Sequence, residues 1–176
     1  MKKLKLEELQ RDSLEAYKAK EKIDLIVVLD NLRSGMNVGS VFRTADCFGI
    51  KKVMLCGISP TPPHKEIFKT AIGAQDSVEW EYHESIAVLL EKLKADSYKI
   101  IGIEQTDKSK PLIDLELTKD EKVALVMGNE VNGLSEETLP LLDQAIEIKQ
   151  FGTKHSLNVS VCAGVVLWDV ANKLRQ

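Results

Sequence analysis

Three short stretches of the 176-residue chain concentrate side chains able to do chemistry: Asn31–Gly39, Gly128–Gly133 and Phe151–Asn158. The first contains Asn37, and Arg43 follows six residues after it. A guanidinium presents five donors in one plane, which suits bidentate contact with a phosphate or carboxylate, although an arginine on an arbitrary helix is more often simply solvated. Asn37 is by residue type equally a helix N-cap. The second stretch holds Gly128-Asn129-Glu130 and the turn dipeptide Asn132-Gly133. Gly128 either admits a ligand close to the backbone or serves a tight turn, and Glu130 is either an exposed carboxylate or the charge partner of an arginine in a cleft. In the third stretch Ser156 and Asn158 open a helical pattern, where unpaired N–H groups are available for capping or for a ligand. His155 is of the type most used as a general base, yet a lone loop histidine is more often a bystander and is not counted among the candidates.

Regular elements must position these stretches. Ile23 to Leu29 is a short, mostly apolar run, the signature of a strand buried on both faces. From Val38 the apolar residues fall at 38, 41, 42, 45 and 48, a helical stripe ended by Gly49 at a left-handed cap position. Arg43 lies about 140° round that helix from Val38 and faces away from the core. Further strands are predicted at Lys52–Cys56, Lys99–Ile103, Val123–Met127 and Ala145–Ile148, and helices at Lys65–Ala74 and Ile86–Leu93. Ser135 is expected to cap a helix whose first turn holds Glu136 and Glu137. A final helix is predicted from Val159, Cys162, Ala163, Val166 and Val170. Alternation of this kind implies an α/β domain, a mostly parallel sheet with helices on both faces. Ligands of such sheets bind at the carboxyl ends of the strands, which is where the three polar stretches fall.

Composition narrows the class. A chain of 176 residues, 44% hydrophobic and 29% charged, suits one domain with a real core: residues 23–176, preceded by a charged helix or arm over 1–22. The apolar stretch Val161–Trp168 falls far short of the roughly 20 residues needed to cross a bilayer, and residues 1–11 alternate charges with leucines instead of building a signal peptide. A cytoplasmic protein with no membrane partner is expected. Cys47, Cys56 and Cys162 form no C-x-x-C pair and no zinc spacing, so buried packing residues and no metal are expected. A net charge of −3 argues against a basic nucleic-acid coat but leaves room for a local patch. Neither a G-x-G-x-x-G nor a P-loop motif is present, which removes support for phosphate-anchored NAD or ATP.

Taken together, the three stretches resemble the motifs of a known family. Asn31-Leu32-Arg33-Ser34-Gly35-Met36-Asn37-Val38-Gly39-Ser40-Val41-Phe42-Arg43-Thr44-Ala45 resembles the first motif of the SpoU/TrmH RNA 2′-O-methyltransferases of the SPOUT superfamily, with its asparagine six residues before an arginine. Met127-Gly128-Asn129-Glu130-Val131-Asn132-Gly133-Leu134-Ser135 is similar to their second motif. Ile148, Gly152 and Ser156-Leu157-Asn158-Val159-Ser160-Val161 are similar to their third. Each is weak alone; three in order are a specific signal. Lys149 departs from the pattern, standing where many relatives have proline.

The resemblance implies a SPOUT fold whose C-terminal part is tied in a deep trefoil knot, and a homodimer with its site near the subunit interface. It implies S-adenosylmethionine as cofactor, held by groups around Glu104, Gly128, Ile148, Ser156 and Leu157, and an RNA ribose 2′-hydroxyl as methyl acceptor. Arg43 would be the catalytic arginine, with Asn37, Glu130, Ser156 and Asn158 orienting it and the target nucleotide. An arginine holds its proton tightly, which favours positioning and charge stabilisation over a base role. A short arm in place of a separate RNA-binding domain favours tRNA over rRNA, with Lys51, Lys52, Lys65, Lys69, Arg11 and Lys18 as candidate phosphate contacts. The alternatives are a non-catalytic RNA-binding member of the family and an unrelated nucleotide-binding α/β protein.

Overall fold

The computed structural model describes residues 1–9 and 11–176; Gln10, inside the expected N-terminal arm, lies outside the described residues. Among the described residues seven strands, β1 (Ile23–Asp30), β2 (Ile50–Cys56), β3 (Glu79–His83), β4 (Lys99–Ile103), β5 (Lys110–Pro111), β6 (Val123–Met127) and β7 (Gln144–Glu147), form one sheet in the order β3-β2-β1-β6-β4-β7-β5. Every neighbouring pair is parallel. The helices are α1 (Leu14–Ala19), α2 (Gly35–Phe48), α3 (Lys65–Ala71), α4 (Ala74–Ser77), α5 (Ile86–Ala95) and α6 (Val159–Lys173). With β6 inserted between β1 and β4, and β7 between β4 and β5, later strands enter between earlier ones. That order is consistent with the knotted C-terminus the family resemblance implies.

β1 and β6 lie side by side near the middle, and Leu25–Asp30 and Val123–Met127 are buried throughout. Successive side chains on a strand point to opposite faces, and the core divides accordingly. Leu25, Val27 and Leu29 pack with Val38, Val41, Phe42 and Ala45 of α2 and with Ala163, Val166, Leu167 and Val170 of α6. Ile26 and Val28 pack on the other face with Ile86, Leu89, Leu90 and Leu93 of α5. Helices therefore cover both faces, as the sequence predicts. Burial of a large apolar side chain contributes about 1.5–3 kcal/mol, so these two layers supply the main force holding the strand ends in register.

Several boundaries differ from the sequence expectation for identifiable reasons. α2 begins before Val38 because the Ser34 hydroxyl accepts from the Asn37 N–H at 3.3 Å. Ser34 is thus the N-cap, Asn37 sits inside the first turn, and Gly49 closes the helix at φ 60° as expected. The helix expected over Lys65–Ala74 is broken in two by Ile72 at φ 51° and Gly73 at φ 90°. β3 was not anticipated; its Glu-Trp-Glu-Tyr-His sequence lacks an apolar run, which an edge strand tolerates. Among the described residues no α-helix begins at Ser135. Its N–H is held by Asp30 Oδ2 at 3.0 Å, its hydroxyl shares a hydrogen bond with Thr138 at 2.8 Å, and Pro140 leaves only a 3-10 turn at Leu139–Leu141.

Of the three cysteines only Cys56 is fully buried. Burial, aided by the charge of Asp30, pushes its thiol up to about 12. Cys162 is half-buried, and Cys47 is exposed because it lies about 180° round α2 from Val38. No helix among the described residues is long and apolar enough to cross a membrane.

Candidate active site

Because β1, β6, β4 and β7 are consecutive in the sheet, the segments that leave their carboxyl ends must crowd together. The first to be fixed is Gly128–Leu134. Asn129 and Gly133 exchange backbone hydrogen bonds at 2.8 and 3.0 Å, and Asn129 Oδ1 accepts from the N–H groups of Val131 and Asn132. Asn129 Nδ2 donates to the Asn31 carbonyl at 2.6 Å, tying this loop to the end of β1. Gly133 needs to be glycine twice over: its φ is 69°, and a Cβ would run into the Glu104 carboxylate. That carboxylate accepts from Leu134 N at 2.9 Å and Gln105 N at 2.8 Å. A Cβ on Gly128 would strike the backbone of Gly133 and Leu134, so close packing of this loop accounts for Gly128.

Asp30 anchors the far end of the same loop. It is fully buried, with Oδ1 accepting from Asn31 Nδ2 at 2.8 Å and Oδ2 accepting from Ser135 N and from the Thr138 hydroxyl at 3.1 Å. The loop is thereby held at a height that sets Glu130 over the start of α2. Glu130 Oε2 accepts from Arg33 N at 2.9 Å, and Oε1 accepts from Ser34 N at 3.1 Å and Asn37 Nδ2 at 2.9 Å. Partial burial alone would raise the Glu130 pKa; the hydrogen bonds from Arg33, Asn37 and the neighbouring backbone together outweigh it and leave the carboxyl below its usual range. Asn37 Oδ1 in turn accepts from Asn158 Nδ2 at 3.2 Å. Asn158 also caps α6, its Oδ1 accepting from Ser160 N at 2.9 Å, Ser160 Oγ at 2.7 Å and Val161 N at 3.3 Å. All three motif segments therefore meet in one chain of hydrogen bonds.

Beside this network lies a cleft of about 610 Å³, and Glu104, Gly128, Ile148, Ser156 and Leu157 all line it, together with Glu130 and Asn158. Its size falls in the range of small-molecule and cofactor sites. Cys162 forms part of the wall, its thiol pushed up to about 11 by burial and by the nearby Glu104 charge. Residues 149–157 make no backbone–backbone hydrogen bond among the described residues; the segment is tied across the cleft by Gln105 Nε2 donating to the His155 carbonyl at 3.0 Å. Its free N–H and C=O groups can meet the polar edge of a nucleoside, which is the mode of binding expected for a cofactor held mainly by backbone. No group of three or more metal-binding side chains occurs among the described residues.

Arg43 is not drawn into this cluster. Its side chain is exposed, forms no hydrogen bond or ion pair among the described residues, and stands about 240° round α2 from Asn37. Lys51 and Lys52, expected as phosphate contacts, are engaged elsewhere: Lys51 pairs with Asp24, and Lys52 with Glu81 at 2.6 Å and Glu79 at 3.5 Å. Both sit at the start of β2, at the end of the sheet opposite the cleft. Asp30, Asn129 and Gln105 carry roles that their sequence positions do not assign: Asp30 shows only as a charged residue closing an apolar strand, Asn129 only as a member of the second motif, and Gln105 leaves no signal.

Comparison with known proteins gives the family and the fold. The model of the SpoU rRNA Methylase family matches residues 24–168. The tRNA (guanosine(18)-2′-O)-methyltransferase of Escherichia coli K12 is 28% identical over 158 residues, covering 90% of this chain and 67% of that protein. Among solved structures, the TrmH/SpoU tRNA modifying enzyme of A. aeolicus superposes with a TM-score of 0.81 at 26% identity, covering 91% of this chain and 80% of that one. The SpoU methyltransferase AviRb from Streptomyces viridochromogenes, in complex with the cofactor AdoMet, superposes with a TM-score of 0.78 at 22% identity over 94% of this chain and 66% of that one, a likeness of fold.

Proposed function

The chain belongs to the SpoU rRNA methylase family, and from that premise we propose that it is an S-adenosylmethionine-dependent methyltransferase acting on a ribose 2′-hydroxyl of RNA. The observation that carries the proposal is the cleft itself: the five residues expected to hold the cofactor line one cavity, and the Glu130–Asn37–Asn158 network stands at its side. S-adenosylmethionine supplies a methyl group on a sulfonium, activated for transfer to an oxygen nucleophile. The protein's task is then to bring the ribose oxygen into line and to assist loss of its proton. Glu130 and Asn158 orient the nucleotide in this reading, supported by their position in the cleft wall, where Ser156 also offers a hydroxyl. Arg43 stabilises negative charge developing on the ribose oxygen, a role its fork of donors suits.

The reading includes a second copy of the chain. α6 is apolar on two sides: Ala163, Val166, Leu167 and Val170 face the core, while Val161, Val165 and Trp168 are exposed one turn apart. A helix apolar all round is normally covered on both sides. A homodimer through α6 sets the partner beside Asn158, at the mouth of the cleft, and lets the unengaged Arg43 serve the partner's site. The arm, residues 1–22, is a separate charged segment; α1 buries none of its residues and touches the domain through the Tyr17 hydroxyl, which donates to the Asp46 carbonyl at 2.9 Å. Residues 23–176 form the catalytic domain, and the cytoplasm is its place of action. That the E. coli and A. aeolicus relatives act on tRNA makes tRNA the favoured substrate, ahead of rRNA, on which a relative from Neisseria meningitidis acts.

The test is direct. Purified protein is incubated with methyl-labelled S-adenosylmethionine and with total tRNA or rRNA from cells lacking the gene, and the product is mapped for 2′-O-methyl nucleotides. Label in a ribose is expected, preferentially in tRNA, and Arg43→Ala is expected to abolish it without unfolding the protein. Cofactor binding with no transfer to either RNA would replace the proposal with a non-catalytic RNA-binding role.

A further inference from the structure

At the amino ends of the strands Lys51 pairs with Asp24, Lys52 with Glu81 and Glu79, Lys94 with Asp143 and Lys99 with Glu121, while Lys92, Lys119 and Lys122 are exposed with no ion pair among the described residues. At the carboxyl ends, round the cleft, Arg33, Lys108, Lys149 and Lys154 are exposed and form no ion pair among the described residues. The acidic groups at this end are Asp30, Glu104, Asp107, Glu130 and Glu147, of which Asp30, Glu104 and Glu130 are engaged by hydrogen-bond donors within the chain. A net charge of −3 leaves room for such a local set of cations at the cleft mouth, where they can meet the phosphates of a polyanion.

The same rim carries Phe151, which is 96% exposed. It stands in the segment between Gln150 and His155, both of which line the cleft, while its own ring is left outside. Gly152, next to it, has nothing within 4 Å of where a Cβ would be, so the ring's surroundings are open. An aromatic face interleaved with unpaired lysines on an irregular segment is the pattern that engages single-stranded nucleic acid, the base stacking on the ring and the phosphates meeting the cations.

We propose that residues 149–154 form an RNA-contacting surface at the mouth of the cleft, in which a base of an unpaired nucleotide stacks on Phe151 and flanking phosphates meet Lys149 and Lys154. The inference rests on the RNA-methylating reading above and adds the place where the strand is gripped. Stacking of this kind contributes roughly tenfold or more in affinity per base. Each lysine lost should lower the slope of log affinity against log salt by about 0.7 for a single strand.

The experiment uses the full-length protein and total tRNA from cells lacking the gene. Binding of tRNA and of S-adenosylmethionine is measured for wild type, Phe151→Ala, Phe151→Trp and the Lys149→Ala/Lys154→Ala pair, with sedimentation of each. Phe151→Ala is expected to weaken tRNA binding at least tenfold and to leave cofactor affinity and oligomeric state unchanged, with Phe151→Trp retaining binding; the lysine pair should flatten the salt dependence. Unchanged tRNA affinity in Phe151→Ala overturns the proposal. A matching loss of cofactor affinity overturns it in favour of a cover over the cofactor, and dissociation to monomers overturns it in favour of a contact between copies. Should wild type itself neither bind nor methylate RNA, the functional reading falls first, which separates the two failures.

Discussion

Asn158 Nδ2 donates to Asn37 Oδ1 at 3.2 Å, joining residues 121 positions apart in the chain. The bond fixes the Asn37 amide in one sense, because its nitrogen already donates to Glu130 Oε1 at 2.9 Å. One side chain thus reads both neighbours, and neither an acid nor an apolar residue can replace it.

Asn37→Asp places a second carboxylate against Glu130 and removes the donor between them. Methyl transfer to RNA is expected to fall at least about tenfold, since a misplaced hydrogen-bonding group in a site commonly costs that much or more. Asn37 does not line the cleft, so S-adenosylmethionine affinity measured by calorimetry should hold. Equal loss of cofactor binding would show that the network shapes the cofactor site and not the acceptor site.

Glu130 gives a pH signature. Its carboxyl lies below the usual range in the folded chain because the bonds from Arg33, Asn37 and Ser34 outweigh the opposing effect of burial. A depressed folded value means that its contribution is present above the unfolded value of about 4.3 and is lost as pH falls through the folded value. Wild type should therefore exceed Glu130→Gln in stability at neutral pH, with the gap closing below about pH 4. Chemical denaturation across that range measures it, and a gap independent of pH would contradict the assignment.

Asp30→Asn tests the anchor under the second motif. The carboxylate accepts from three donors, and an amide necessarily turns an N–H group toward one of them. Leaving a buried donor unsatisfied costs about 1–3 kcal/mol, so a lower melting temperature is expected, with turnover reduced because Glu130 shifts with the loop. Unaltered stability would mean that the loop is held without Asp30.

Much of this was legible before any coordinates. β1, β6 and α2 follow from apolar periodicity, and the three motif stretches fall at strand ends because strands and helices alternate. The bond between Asp30 and Ser135 shows what was not legible. Ser135 followed by two glutamates reads locally as a helix start, but a carboxylate 105 positions earlier takes its N–H, and tertiary demand overrides local propensity. The split of α3 from α4 escaped for a related reason, since an isoleucine in the left-handed region contradicts its own preference.

That isoleucine is itself a prediction. Ile72 is exposed and holds φ 51°, a conformation costing a β-branched residue about 1–2 kcal/mol. Ile72→Gly or Ile72→Asn should raise the melting temperature by about 2–8 °C in a chain of this size. A fall would show that the side chain has a partner outside the monomer, and sedimentation of the variant would then locate it.

The placement of Arg43 leads to the most discriminating experiment. Within one chain it lies about 240° round α2 from Asn37 and takes no part in the cleft wall, whereas Asn158 is part of that wall. The exposed stripe of Val161, Val165 and Trp168 offers a second copy a seat beside Asn158. If Arg43 serves the partner's cleft, Arg43→Ala and Asn158→Ala chains should each be inactive alone but complement when co-expressed with different tags. A mixed dimer then carries one site with both lesions and one intact site, and with half the dimers mixed the preparation should recover about a quarter of wild-type activity. If Arg43 serves its own chain, every site in the mixed dimer has one lesion and nothing is recovered. Silence in that assay, with mixed dimers verified by tandem purification, would return Arg43 to its own subunit and require α2 to present it to the cleft by movement.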